Sequence, residues 1–380
     1  MINVLFVFGT RPEAIKLAPL IKRLSLNEAF RVTVCVTAQH REMLDQVLAF
    51  FDIRPNFDLH IMKANQSLSK ITTLALNGIR KAILSSRPDW LFVQGDTTTT
   101  FAGALAAFYE RVRVAHVEAG LRSFNRNAPF PEETNRVLTT HLADLHFAPT
   151  ETARGNLLAE GVPGDRVFVV GNTGIDALFL CLKLTEGKSK KDFASLNLIN
   201  LDKRIILVTG HRRESFGRPF ENICRALKTI SVEEDVEIVY PVHLNPNVRK
   251  PVLNILKGTP NIHLLDPLDY PAFVWLMNRS RIILTDSGGV QEEAPSLGKP
   301  VLVMRDVTER MEGVKAGTAV LVGTDEGLIV REALRLLRNR SEYDRMARAI
   351  NPYGDGRSSE RIESVLLRLW SMERRPEGGR

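Results

Sequence analysis

Residues 281 to 300 read Arg-Ile-Ile-Leu-Thr-Asp-Ser-Gly-Gly-Val-Gln-Glu-Glu-Ala-Pro-Ser-Leu-Gly-Lys-Pro, an apolar strand that meets a turn of small residues and then a helix. Such a turn can seat a phosphate. Ser287, Gly288 and Gly289 carry no bulk, so an anion can approach the backbone, and the helix opening near Val290 offers free N–H groups and the positive end of its dipole. Glu293 sits about one turn into that helix, where a carboxylate can accept two hydroxyls of a ribose. Together these residues suggest a nucleoside diphosphate. An ordinary strand–turn–helix corner, with Asp286 or Ser287 as helix cap, fits the turn equally well.

Four more polar segments follow apolar runs. Gly9-Thr10-Arg11-Pro12-Glu13-Ala14-Ile15-Lys16 lacks the Gly-x-Gly-x-x-Gly of a dinucleotide site, which disfavours NAD, and it puts Arg11 and Lys16 near a helix start where an anion would have to offset the dipole. Gln94-Gly95-Asp96-Thr97 offers Asp96, either as a functional acid or as the cap of the next helix. His116-Val117-Glu118 ends an apolar strand on a charge, an awkward place for a carboxylate without a partner or a task, and Pro131-Glu132-Glu133 brings two acids that also suit the first turn of a helix. Gly210-His211-Arg212-Arg213 supplies a histidine and arginines that suit a pyrophosphate, with His243 after the next strand as either a participant or a structural histidine.

Short runs rich in Val, Ile and Phe alternate with helix-length amphipathic segments, the pattern of parallel sheets covered by helices on both faces. Strands are expected at 4–8, 32–37, 91–94, 112–117 and 167–170, and again at 205–209, 237–241, 262–265, 282–285, 301–304 and 319–322. The expected architecture is α/β, two doubly wound domains facing a cleft, with ligands beyond the carboxyl ends of the strands. Boundaries are placed at 1–172, 173–358 and 359–380, the last a C-terminal helix and frayed tail, and Glu186 to Asn200 reads as a solvated connector.

The chain of 380 residues has length for two domains, and 25% charged with 44% hydrophobic residues is an ordinary globular balance. Its net charge of +7 is spread out, which gives little support to nucleic-acid binding and suits a polyanionic small substrate. Cys35, Cys181 and Cys224 have neither disulfide nor metal-site spacing, so no metal is expected. The first residues read as a strand and no apolar run is long enough for a bilayer, so a cytoplasmic protein without membrane partners is expected.

The set Gly9-Thr10-Arg11-Pro12-Glu13, Gly95-Asp96-Thr97-Thr98-Thr99, His116-Val117-Glu118-Ala119-Gly120-Leu121-Arg122, Pro131-Glu132-Glu133-x-Asn135-Arg136, Gly210-His211-Arg212-Arg213-Glu214 and Asp286-Ser287-Gly288-Gly289 resembles the bacterial non-hydrolysing UDP-N-acetylglucosamine 2-epimerases, in order and over nearly the whole chain. The resemblance implies a glycosyltransferase-B arrangement of two Rossmann-like domains, the second binding UDP, with the C-terminal helix crossing back to the first. It implies interconversion of UDP-N-acetylglucosamine and UDP-N-acetylmannosamine for cell-surface polysaccharide, without a cofactor, in a homodimer. It marks Asp96, Glu118, Glu132 and His211 as catalytic, and Arg11, Lys16, Arg136, Arg212, Phe273, Ser287, Gly288, Gly289 and Glu293 as binding UDP or substrate. It also suggests that UDP-N-acetylglucosamine is an activator at Gln39, His40, Glu42, Arg213 and His243.

The chemistry agrees with that set. Carbon 2 of the sugar is not acidified by a carbonyl, so direct deprotonation leaves an unstabilised carbanion, whereas anti elimination of UDP gives 2-acetamidoglucal and avoids it. That route needs carboxylates near the sugar and cations near the leaving diphosphate. A hydrolysing 2-epimerase, a glycosyltransferase of the same architecture and a non-catalytic nucleotide-sugar sensor are the alternatives; the three acids argue against the last two.

Overall fold

Strands that are apolar on successive residues need cover on both faces, and parallel sheets provide it. The computed structural model describes residues 1–37, 41–61 and 66–373, with the backbone alone for 41 and 42. It divides into one unit of Met1–Ala177 with Gly354–Arg380 and another of Leu178–Tyr353.

In the first unit the strands are β1 (Ile2–Phe8), β2 (Phe30–Val36), β3 (Phe57–Asp58), β4 (Trp90–Gln94), β5 (Arg113–Val117), β6 (Leu145–Ala148) and β7 (Val167–Val169). Among the described residues they form one parallel sheet in the order β3-β2-β1-β4-β5-β6-β7. Leu5, Val7, Leu91 and Val93 pack with Ile71, Ala75, Ile79 and Ala102 from the helices Leu68–Ser86 and Thr98–Tyr109. Their neighbours in sequence supply a second apolar layer: Phe6 stacks on Phe92 at 4.9 Å, and Phe92 on Phe147 at 6.4 Å.

The second unit repeats the plan with β8 (Arg204–Thr209), β9 (Val236–Pro241), β10 (Ile262–Leu265), β11 (Ser280–Thr285), β12 (Val301–Val303) and β13 (Ala319–Leu321). The order is β10-β9-β8-β11-β12-β13, again parallel. In each sheet the winding reverses at a central pair, β1 with β4 and β8 with β11. A crevice opens beyond the carboxyl ends of such a pair, and polar turns placed there face a ligand.

The C-terminal helix Ser358–Glu373 belongs to the first unit. Asp176 accepts the N–H groups of Ser358 and Ser359 at 3.2 and 2.7 Å, and Glu363 pairs with Arg23 at 2.5 Å and Asn27 at 2.9 Å on the helix Arg11–Ser25. Residues 186–200 are not the solvated connector that their charge suggests. Phe193, Leu196 and Ile199 are buried, the Phe193 ring lies 5.3 Å from that of Trp275, and Trp275 Nε1 donates to the Lys188 carbonyl at 3.2 Å. A few apolar residues among the lysines suffice to pin this segment to the second unit.

Candidate active site

The first unit brings four of its polar turns to the β1–β4 end of the sheet. Thr10 caps the helix Arg11–Ser25 in a reciprocal box with Glu13, which places Arg11 at the first helical position. Gly9 is required by close approach, since a β-carbon there would lie 2.1 Å from the Thr37 hydroxyl and 2.7 Å from that of Thr99. After β4, the cap of the next helix is Thr97, whose hydroxyl accepts the Thr100 N–H at 3.1 Å; Asp96 is therefore not the cap. Its carboxylate instead pairs with Arg136, and its carbonyl accepts from Asn135 Nδ2 at 3.0 Å.

Glu118, just past β5, adopts φ +65, a left-handed conformation that costs a side-chain-bearing residue about 1–2 kcal/mol. The carboxylate pairs with Lys16 Nζ, so the cation expected for the diphosphate is engaged by an acid here. Glu132 and Glu133 open the helix Glu132–Leu142, and their fates diverge. Glu133 is structural: it accepts the N–H groups of Ser123 and Phe124 at 3.0 Å and lies 3.3 Å from Arg136. Glu132 Oε2 is buried with no hydrogen-bond partner among the described residues.

His116 lies under this cluster, with Nε2 2.7 Å from the Gly95 carbonyl. Burial pushes its pKa down to about 4, so the ring is neutral and its Nε2–H donates to the carbonyl, which can only accept.

In the second unit the β8 and β11 ends are tied by Asp286. Its Oδ2 accepts the N–H groups of His211 at 2.6 Å and Arg212 at 2.8 Å, so it does not cap the following helix, and Ser287, though in the cap position, makes no side-chain cap bond. Asp286 Oδ1 lies 3.2 Å from His211 Nδ1, and the His211 and His243 rings stack at 5.5 Å. The His211 pKa is lowered by burial, against the pull of Asp286, and is lowered further by His243 and Arg212. His211, Arg212, Arg213, Glu214, His243 and Asn245 line a polar depression of about 440 Å³.

At the Ser287 turn, a β-carbon on Gly288 would come within 3.1 Å of the Arg310 guanidinium, which Glu292 holds at 2.8 Å. A β-carbon on Gly289 would lie 3.8 Å from Glu293 Oε1, so the Glu293 carboxylate reaches back along its helix toward the glycine turn. Phe273 is half-buried on the helix Tyr270–Arg279. Gln39 and His40 lie outside the described residues, as does the side chain of Glu42. Sequence reasoning gave no role to Glu13 or to the latch made by Asp286. The Thr-x-x-Glu spacing at 10–13 signals only the cap, because it says nothing of β4.

The sequence profile of the UDP-N-acetylglucosamine 2-epimerase family matches residues 22–367. The UDP-N-acetylglucosamine 2-epimerase of Escherichia coli K12 is 57% identical over 368 residues, covering 96% of this chain and 98% of the relative. A Neisseria meningitidis UDP-GlcNAc 2-epimerase solved with UDP-GlcNAc is similar at 49% identity and a TM-score of 0.88, over 97% of this chain and 100% of the other. An S. aureus protein solved with UDP is similar at 48% identity and a TM-score of 0.85, over 98% and 97% of the two chains. By this match over most of its length and this identity, the chain belongs to the UDP-N-acetylglucosamine 2-epimerase family.

Proposed function

We propose that this chain interconverts UDP-N-acetylglucosamine and UDP-N-acetylmannosamine by eliminating UDP and adding it back. Family membership supports the substrate and the inversion at carbon 2. The observation that favours this route is the carboxylate set of the first unit: Asp96 paired with Arg136, Glu118 strained and paired with Lys16, and Glu132 with an unpartnered buried oxygen. A carboxylate removes the proton from carbon 2, the electron pair becomes the carbon 1–carbon 2 double bond, and the carbon 1–oxygen pair leaves with UDP. Return of UDP and protonation on the opposite face complete the inversion.

In this reading Ser287, Gly288, Gly289 and Glu293 hold the diphosphate and ribose, and Phe273 packs on uracil. His211 and Arg212, with Arg11, Lys16 and Arg136, meet the charge that develops on the leaving group. Lys16 is paired with Glu118, so it stands beside that acid as well. No metal or redox cofactor enters the scheme. A homodimer in the cytoplasm, where nucleoside triphosphates supply nucleotide sugars for surface polysaccharide, completes the proposal; among the described residues no helix is long and apolar enough to cross a membrane.

Activation by UDP-N-acetylglucosamine at Gln39, His40, Glu42, Arg213 and His243 is part of the same reading, supported by the depression that Arg213 and His243 share with His211. The test is a proton NMR time course from each epimer. Epimer formation from UDP-N-acetylglucosamine supports the function, whereas free sugar or no reaction contradicts it. A full initial rate from UDP-N-acetylmannosamine alone, without lag, would remove the activator.

A further inference from the structure

Glu13 is a buried acid, only 2% exposed, that has no part in the scheme above. Its Oε2 accepts from Gly9 N at 3.0 Å, Thr10 N at 2.7 Å and Thr10 Oγ1 at 2.7 Å. Its Oε1 lies 2.6 Å from Thr97 Oγ1 and 3.2 Å from Thr100 Oγ1. The Thr100 hydroxyl has one proton, and the Gln94 carbonyl is closer at 2.7 Å. The direction of each bond follows: Thr100 donates to Gln94, Thr97 donates to Glu13, and the Thr97 oxygen accepts the Thr100 N–H at 3.1 Å. These bonds fix the main chain on both sides of Gly95-Asp96.

We propose that Glu13 is the positioning residue for Asp96, tying the turn after β1 to the turn after β4 so that the Asp96 carboxylate is held for proton transfer. The inference depends on the catalytic reading of Asp96. An ionised carboxylate accepts every one of these bonds, whereas an amide that keeps its oxygen toward Gly9 and Thr10 turns its NH₂ toward the Thr97 and Thr100 hydroxyls and reverses the Thr97 bond. Burial raises the Glu13 pKa, and the hydrogen bonds from Thr97, Gly9 and Thr10 oppose that rise.

The experiment uses the full chain and four variants: Glu13→Gln, Thr97→Val, Thr97→Ser and Asp96→Asn. Two quantities are followed from each epimer: kcat, and the ratio of released 2-acetamidoglucal and UDP to epimer formed. That ratio counts the fates of one intermediate, so a smaller folded fraction cannot move it. In Glu13→Gln and Thr97→Val, kcat should fall on the order of 10²-fold, the cost of misplacing a reacting group by about an ångström. The release ratio should rise from at least one epimer, and Thr97→Ser, which keeps both hydrogen bonds, should restore both quantities. Where Glu13→Gln does not fold, Thr97→Val decides. A folded variant with the wild-type ratio from both epimers, alongside an inactive Asp96→Asn, overturns the positioning role alone. Full turnover in Asp96→Asn overturns the reading of Asp96 and this inference with it.

Discussion

Asp286 holds His211 by its backbone, Oδ2 accepting the His211 N–H at 2.6 Å, while its Oδ1 lies 3.2 Å from the ring Nδ1 without a hydrogen bond to it. Burial keeps the unliganded ring neutral near pH 7, and a diphosphate beside it raises its pKa, so UDP binding should take up protons. Calorimetry in buffers of different ionisation heat measures that uptake. It should shrink in His211→Asn; equal uptake in variant and wild type would contradict this role.

The strain at Glu118 can be measured against its function. Glu118→Gly and Glu118→Ala both remove the acid and its pairing with Lys16, so both should lose turnover. They differ in the backbone, because only glycine occupies φ +65 freely. Urea unfolding should find the Gly variant more stable than the Ala variant by about 1 kcal/mol. An Ala variant of equal or greater stability would show that this conformation is not strained.

His116 and His146 are partners in register on β5 and β6 and are buried together. Burial lowers their pKa values from 6.5 to about 4 and about 3. The unfolded chain therefore binds more protons between these values and 6.5, and native stability should fall as the pH drops through that window. In His146→Phe the slope of stability against pH should flatten; an unchanged slope would contradict the assignment.

Binding and chemistry should separate between the units. Glu293→Ala should weaken UDP binding by about 1–3 kcal/mol, the range for hydrogen bonds to a charged group. Asp96→Asn, Glu118→Gln and Glu132→Gln should lower turnover while UDP affinity survives. Unchanged UDP affinity in Glu293→Ala would remove the ribose assignment.

Most strands were legible because a parallel sheet demands unbroken apolar runs, and the candidate site residues could be picked out because they follow those runs. β6 escaped notice because four residues, Leu-His-Phe-Ala, carry a histidine that reads as polar although burial keeps it neutral. β3 is two residues long and leaves no pattern. The capping alternatives for Asp96 and Asp286 were reasonable locally and failed because long-range partners, Arg136 for one and the His211 turn for the other, outcompete the adjacent helix. Glu13 was hidden for the same reason: its local half is a capping box, and its other half, Thr97, is 84 residues away.

The elimination route is tested most directly by running the reaction in heavy water with label in the oxygen that bridges carbon 1 and the diphosphate. Proton loss to a carboxylate and return from a group in contact with solvent must place deuterium at carbon 2 of the product. Cleavage of the carbon 1–oxygen bond must scramble the label into non-bridging positions. Epimer that keeps its original hydrogen, with the label still in the bridge, would contradict the mechanism and the roles given to Asp96, Glu118 and Glu132.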